Sequence, residues 1–302
     1  MHLHRYFVIG LLAAAAAACG GDAENGVTTP VRQLAYVRYV NAINDTKSVG
    51  FRVVDGIEDS PSYFGDKFNG AHFREISPYQ GMGPGSRHIT VFWDDTLIQN
   101  ASTVVADQTI DFTAGTYYTV VLTGASVSAN AGTLTTYTDD MSGVASDKIL
   151  VRAYNLAPSL GNVDIITGPA QNDTTITSDT TITPDEADST KADTTIKSDT
   201  TITLIGVSPA TTYIGNVAPG AASAPMSVPA ATGPVYFAVT AAGTTSPILA
   251  VTAGPAGKND PVVPSAGYQL GGSDVTFLVM PKGTTAATLA FGSHYRAPGA
   301  QQ

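Results

Sequence analysis

From about residue 34 onward the apolar residues come in short β-branched and aromatic runs bounded by Gly, Pro, Asn and Asp. The 3.6-residue period of an amphipathic helix is missing. Runs at Leu34–Val40, Arg87–Trp93, Tyr117–Leu122, Val235–Thr240, Ile248–Val251 and Val275–Val279 read as strands, because Thr, Val and Tyr suit a pleated, half-buried surface. Thirty glycines and eighteen prolines supply the turns between them. Many short strands with frequent turn signals predict an all-β fold of the sandwich or barrel type, not a parallel α/β sheet.

One apolar run differs from the rest. Residues Tyr6–Ala18 follow a short start whose fixed positive charge is Arg5. The run is too short for a membrane span, which needs roughly 20 apolar residues. A basic start, an apolar middle and small residues before a cut describe a secretory signal. The small residues end on Cys19, the only cysteine of the chain, in Ala16-Ala17-Ala18-Cys19-Gly20. This junction resembles the bacterial lipobox, and the resemblance implies cleavage of residues 1–18 and lipidation of Cys19. Lipidation leaves no thiol for a disulfide, a metal or a nucleophile. Gly20 is not the aspartate associated with inner-membrane retention, so the expected place is the outer membrane or cell surface. The small polar residues that follow make 19–33 a lipidated tether in the flexible regime.

The charge balance narrows the partners. The chain has 15 Lys and Arg against 25 Asp and Glu, a net charge of −10. Such a surface disfavours nucleic acid, whose binding needs cations at the phosphates. It also disfavours anionic lipid heads. Membrane contact is therefore expected through the lipid on Cys19 alone.

A segment recurs within the chain. Val37-Arg38-Tyr39-Val40-Asn41-Ala42 returns as Val151-Arg152-Ala153-Tyr154-Asn155-Leu156, and each copy passes through a turn into a second strand, Val49–Val53 or Val163–Ile166. The spacing suits one domain per copy. These residues resemble the bacterial domain-of-unknown-function family 4397, found in exported and lipid-anchored envelope proteins. Val151-Arg152, Asn155, Pro158 and Val163-Asp164-Ile165 follow its pattern, while Leu156 and Ala157 depart from its Ala-Ser pair. The first copy keeps Val37-Arg38, Asn41-Ala42 and Asp45 and lacks the proline. Ala114–Val121 and Asp139-Asp140 are similar to further family features. The resemblance implies two tandem Ig-like antiparallel β-sandwich domains and an envelope location. It implies no activity and no functional residue. The expected domains are 34–146 and 147–302, with a boundary near 139–146.

The second copy carries a Thr/Asp-rich insertion at about 171–203, in which Asp-Thr-Thr-Ile occurs four times. Seven acids and two lysines between 173 and 203 give it half the net charge of the chain. This composition favours a solvated, mobile excursion, with a protruding hairpin as the alternative. O-glycosylation at Asp-Thr-Thr and weak divalent-cation binding are the functional readings, although no calcium-loop spacing is present.

The search for chemistry returns little. His72, His88 and His294 lack zinc-site spacing, and His88 reads as an edge or turn-facing residue. Gly81–Ser86 is a turn without the lysine of a phosphate cradle, Asp94-Asp95 a hairpin turn, and Trp93 a core residue before it is a glycan platform. No metal or cofactor motif is found, and no catalytic residue is assigned. The expected function is that of a non-enzymatic lipid-anchored envelope protein that binds, adheres or scaffolds, with a glycan or an envelope protein as partner. A hydrolase using carboxylates drawn from Asp94, Asp95, Asp139 and Asp140 is one alternative, and a spacer array is the other.

Overall fold

The computed structural model describes residues 33–55, 67–141, 144–168, 170–184, 192–207, 211–244, 252–259, 264–282 and 286–295. Cys19, the expected signal and most of the expected tether lie outside the described residues, as does the run Ile248–Val251. Leu34–Gln302 form one compact unit.

Strand is the dominant secondary structure of the described residues. The first sheet has the order β4-β1-β7-β8, from β1 (Ala35–Asn41), β4 (Gln80–Met82), β7 (Tyr117–Gly124) and β8 (Gly132–Asp139). The second has the order β3-β2-β5-β6, from β2 (Val49–Val53), β3 (Lys67–Ala71), β5 (Gly85–Trp93) and β6 (Val104–Phe112). A one-turn helix α1 (Ile98–Ala101) joins β5 to β6. The third sheet, β14-β9-β17-β18, contains β9 (Lys148–Asn155), β14 (Met226–Pro229), β17 (Ser273–Lys282) and β18 (Ala286–Tyr295). The fourth, β13-β10-β15-β16, contains β10 (Val163–Gly168), β13 (Thr211–Val217), β15 (Tyr236–Ala241) and β16 (Thr252–Ala253). The strand orders of the first two sheets and the last two correspond position by position.

The all-β class read from the sequence is observed, and most neighbours are antiparallel. Among the described residues two pairs are parallel: β1 with β7, and β9 with β17. In both, the repeated arginine lies opposite a threonine, Arg38 at Thr119 and Arg152 at Thr276.

Between β10 and β13 the chain runs out as β11 (Ala170–Pro184) and back as β12 (Ala192–Val207). In its described residues the Thr/Asp-rich insertion is therefore a paired antiparallel ribbon, the hairpin alternative. Its regular Thr and Ile content favours the extended state enough to pair the backbone despite the charge.

Three apolar clusters hold the layers. Val37, Tyr39, Phe51, Ile89, Val91, Val120 and Leu122 lead the first, contributed by the first and second sheets. Val151, Val163, Ile165, Phe237, Val275, Phe277 and Val279 lead the second, contributed by the third and fourth. The third cluster joins Val40, Ala42 and Val121 to Tyr154, Leu156, Leu278, Met280 and Ala290. It buries the outer face of the first sheet against that of the third. Each aliphatic side chain fully buried there contributes roughly 1.5–3 kcal/mol of transfer free energy.

Candidate functional site

Successive residues of a strand point to opposite faces. In β1, Val37 and Tyr39 enter the first apolar cluster, which sends Arg38 and Val40 toward the third sheet. In β9, Val151 and Ala153 enter the second cluster, which sends Arg152 and Tyr154 toward the first sheet. The repeat thus places two arginines in the joint between the sheets, each 2% exposed.

Two buried aspartates meet them. Asp139, at the end of β8, accepts hydrogen bonds from Thr119 Oγ1 at 2.6 Å, from Tyr79 Oη at 2.7 Å and from Tyr154 Oη. Arg152 Nη1 lies 3.3 Å from its Oδ1, and Arg38 Nη2 lies 3.8 Å from the same oxygen. Asp274, at the start of β17, pairs with Arg152 Nη2 and accepts from Thr276 Oγ1 at 3.3 Å. Arg38 donates from Nε to Thr119 Oγ1 and from Nη2 to Thr276 Oγ1, both at 2.8 Å. Its guanidinium lies 4.7 Å from the centroid of the Tyr79 ring. Arg152 Nη2 also donates to the carbonyl of Asp140 at 2.6 Å.

The two aspartates sit in opposite electrostatic conditions. Burial opposes ionisation of Asp139, yet Arg38, Arg152 and the hydroxyl donors outweigh it and hold the carboxyl below its usual range. Burial pushes Asp274 above that range, more than Arg152 and Arg38 draw it down. For Arg38, burial works against the charge, but the electrostatic influence of Tyr79, Asp139 and Asp274 raises the guanidinium above its ordinary value. Burial likewise raises the hydroxyls of Tyr79 and Tyr154, which stay protonated as donors. Two cations and two carboxylates form a self-neutralising set, in which Arg152 Nε is buried without a hydrogen-bond partner among the described residues. Such a cluster fixes how two sheets meet, and its carboxylates are enclosed by protein donors.

Beside it, Tyr36, Tyr79, Tyr117 and His294 form a half-buried aromatic group. Tyr36 and Tyr117 stack at 4.6 Å, Tyr79 meets Tyr117 edge-on at 5.1 Å, and His294 lies 5.2 Å from Tyr79.

The other residues singled out in the sequence are dispersed. Asp95 precedes α1, accepting from the amide of Leu97 and the side chain of Asn100. Asp94 and Asp95 thus open the connection of the β5–β6 hairpin, and that connection carries the one-turn helix. The carbonyl of Asp94 accepts from Ser48 Oγ. Gly81 and Met82 belong to β4, and Gly85 begins β5, so the glycine-rich stretch passes the chain from the first sheet to the second. Trp93 packs against the first apolar cluster, and Lys47 Nζ covers its ring at 4.0 Å. His88 is on β5, an inner strand of its sheet, and not at an edge. Its Nε2 lies 2.6 Å from Asp107 Oδ1, which Thr90 also contacts at 2.6 Å. His72 is exposed. Among the described residues, no group of three or more His, Cys, Asp or Glu could hold a metal ion, and no helix is long and apolar enough to cross a membrane.

Sequence reasoning named Arg38, Arg152 and Asp139 but not Thr119, Tyr79, Tyr154, Thr276 or Asp274 as their partners. The usable signal was an arginine at the same place in two strands that otherwise lack a polar face.

Residues 35–166 match the family described as Domain of unknown function (DUF4397). The match runs from β1 into β10. No curated protein matches the chain. A candidate cell adhesion protein from Bacteroides uniformis ATCC 8492 is 8% identical with a TM-score of 0.20, over 87% of this chain and 99% of that one. A second, from Bacteroides ovatus ATCC 8483, is 10% identical with a TM-score of 0.20, over 86% and 97%. At that TM-score neither likeness carries an argument about function.

Proposed function

With residues 35–166 matching DUF4397, the family read from the repeat, we propose that the chain is a non-enzymatic envelope protein. It is anchored by lipid on Cys19, exported to the outer membrane or cell surface, and serves as a binding, adhesion or scaffold module. Residues 34–146 and 147–302 are its two tandem domains. One observation carries the reading: the polar residues common to both copies are engaged in holding the protein together. Arg38 and Arg152 join the sheets. Asn41 and Asn155 brace equivalent turns, accepting from the amides of Ile43 and Ala157. The carboxylates a hydrolase would need are engaged likewise, Asp139 by arginine and Asp95 by a helix start. The acidic surface leaves the acyl chains as the membrane contact.

Two experiments test it. Cys19→Ala is expected to move the protein from the membrane to the soluble fraction, and unchanged retention would contradict the anchor. Screening the soluble protein against envelope glycans and envelope proteins is expected to return a binder without turnover. Measured turnover of an envelope polymer, abolished by a single carboxylate substitution, would contradict the non-enzymatic reading.

A further inference from the structure

The β11–β12 ribbon has a property that the single chain does not use. Its registers run from Asn172↔Leu204 to Pro184↔Ala192 without a shift. Ile176, Ile182, Ile196 and Ile202 share one face by register, opposite Thr200, Thr194, Thr180 and Thr174. Asp173, Asp179, Asp193, Asp199 and Lys197 share the other face, where no aspartate is opposite another and Asp179 is opposite Lys197. Ser178 and Ser198 are opposite each other at the centre. This sorting follows from the six-residue repeat, because a period of six is a multiple of the strand period of two.

The ribbon has two strands only, with no third strand paired to it among the described residues. A two-stranded ribbon is marginal in water without a further strand or a packed face. Its open edges present unpaired backbone groups that template another strand. The sequence specifies which strand fits. If β12 of a second copy runs antiparallel to β12 about a dyad at Ser198, Asp193 falls opposite Thr203, Thr194 opposite Ile202, Thr195 opposite Thr201, Ile196 opposite Thr200 and Lys197 opposite Asp199. These are the pair types that already join β11 to β12. The dyad repeats the Lys–Asp pair twice, and opposite charges across strands are stabilising. The same operation on β11 about Ser178 places Asp179 opposite Thr177, with no charge pair. The β12 edge is therefore the better match.

We propose that the chain forms a two-fold dimer by antiparallel pairing of the β12 edges of two copies about Ser198, with each Lys197 opposite the other copy's Asp199. The ribbons then form a four-stranded sheet of order β11-β12-β12-β11 with all isoleucines on one face. A two-fold contact of one surface with itself closes without leaving a further site of the same kind. The inference is independent of which envelope molecule the rest of the protein meets.

The test uses the whole chain carrying Cys19→Ser, which leaves no native thiol. Directly opposed antiparallel residues have Cα atoms about 4.5–5.5 Å apart, within disulfide reach. Ser198→Cys is expected to give a covalent dimer on mild oxidation, and Ser178→Cys is not. Sedimentation of the thiol-free protein is expected to show a concentration-dependent dimer. Ser198→Lys, which sets like charges together on the dyad but faces a neutral serine within the ribbon, is expected to weaken the dimer by about fivefold or more. Thermal melting of each variant checks that the rest of the fold is unchanged. A monomer at every concentration, crosslinking through Ser178→Cys instead, or a dimer that Ser198→Lys leaves as tight would each overturn the proposal.

Discussion

An ion buried without a partner costs several kcal/mol, so the four charged residues between the first and third sheets depend on one another. Asp139 is 3% exposed and draws on donors from both halves of the chain: Thr119 and Tyr79 from one, Arg152 and Tyr154 from the other. Asp139→Ala removes the carboxylate paired with Arg38 and leaves Arg152 with Asp274 alone, and the expected loss is about 3–5 kcal/mol, read as a lower midpoint in urea unfolding. The pH dependence separates the two aspartates. A carboxyl lowered in the folded state adds stability above its unfolded pKa and loses it as pH falls through the folded value. Asp139 is such a group, so the advantage of wild type over Asp139→Asn is expected to shrink as the medium is acidified. Asp274 is raised, so its sign is opposite: its ionised form costs stability above the folded value, and protonation on acidification relieves that cost. Urea midpoints of Asp274→Asn against wild type across the acid range are expected to diverge in the reverse sense. Arg38 and Arg152 were visible in the sequence as a repeat. Their burial was not, because one charged letter in an apolar run reads equally as a solvent-facing position.

Elements were more legible than sites. Short β-branched runs placed β1, β2, β5, β7, β10, β15 and β17 within a few residues, because alternation and turn residues are local properties. The parallel pairings of β1 with β7 and β9 with β17 were not legible, since strand order is set by contacts remote in sequence. The ribbon was underestimated because charge content was weighed above β propensity. Turns carry their own tests. Asn155 donates to the carbonyls of Gly161 and Val217 and accepts from the amide of Ala157. Asn155→Ala leaves buried backbone groups unpaired, and a loss of about 1–3 kcal/mol is expected in the unfolding midpoint. Gly267 runs against the 257 loop so closely that an added Cβ would lie 2.2 Å from the amide nitrogen of Gly257. Backbone cannot give way as a flexible side chain does, so Gly267→Ala is expected to lower the melting temperature clearly, whereas Gly233→Ala, with open space at its Cβ, is expected to change it little.

At the scale of the molecule, the outer faces of the first and third sheets are not surfaces but a third core. The repeat predicts one domain per copy, 34–146 and 147–302. The apolar residues Val40, Val121, Leu278 and Met280, with the arginine–aspartate cluster among them, make the two halves depend on one another. Leu278→Ala is expected to cost about 2–5 kcal/mol, as for a core leucine within a domain. The repeat could not announce this joint, because each copy alone is a complete pattern of strands. The central claim is that the repeated arginines join the halves, and Trp93 gives a direct reading of it. It is the only tryptophan and packs against the first core, whereas Arg152 belongs to β9 in the second half. Thermal unfolding of wild type and Arg152→Ala, followed by Trp93 fluorescence alongside calorimetry, tests the coupling. The account predicts that the Trp93 midpoint falls together with the calorimetric one in Arg152→Ala. A Trp93 transition left at its wild-type temperature while the rest of the protein melts earlier would contradict it.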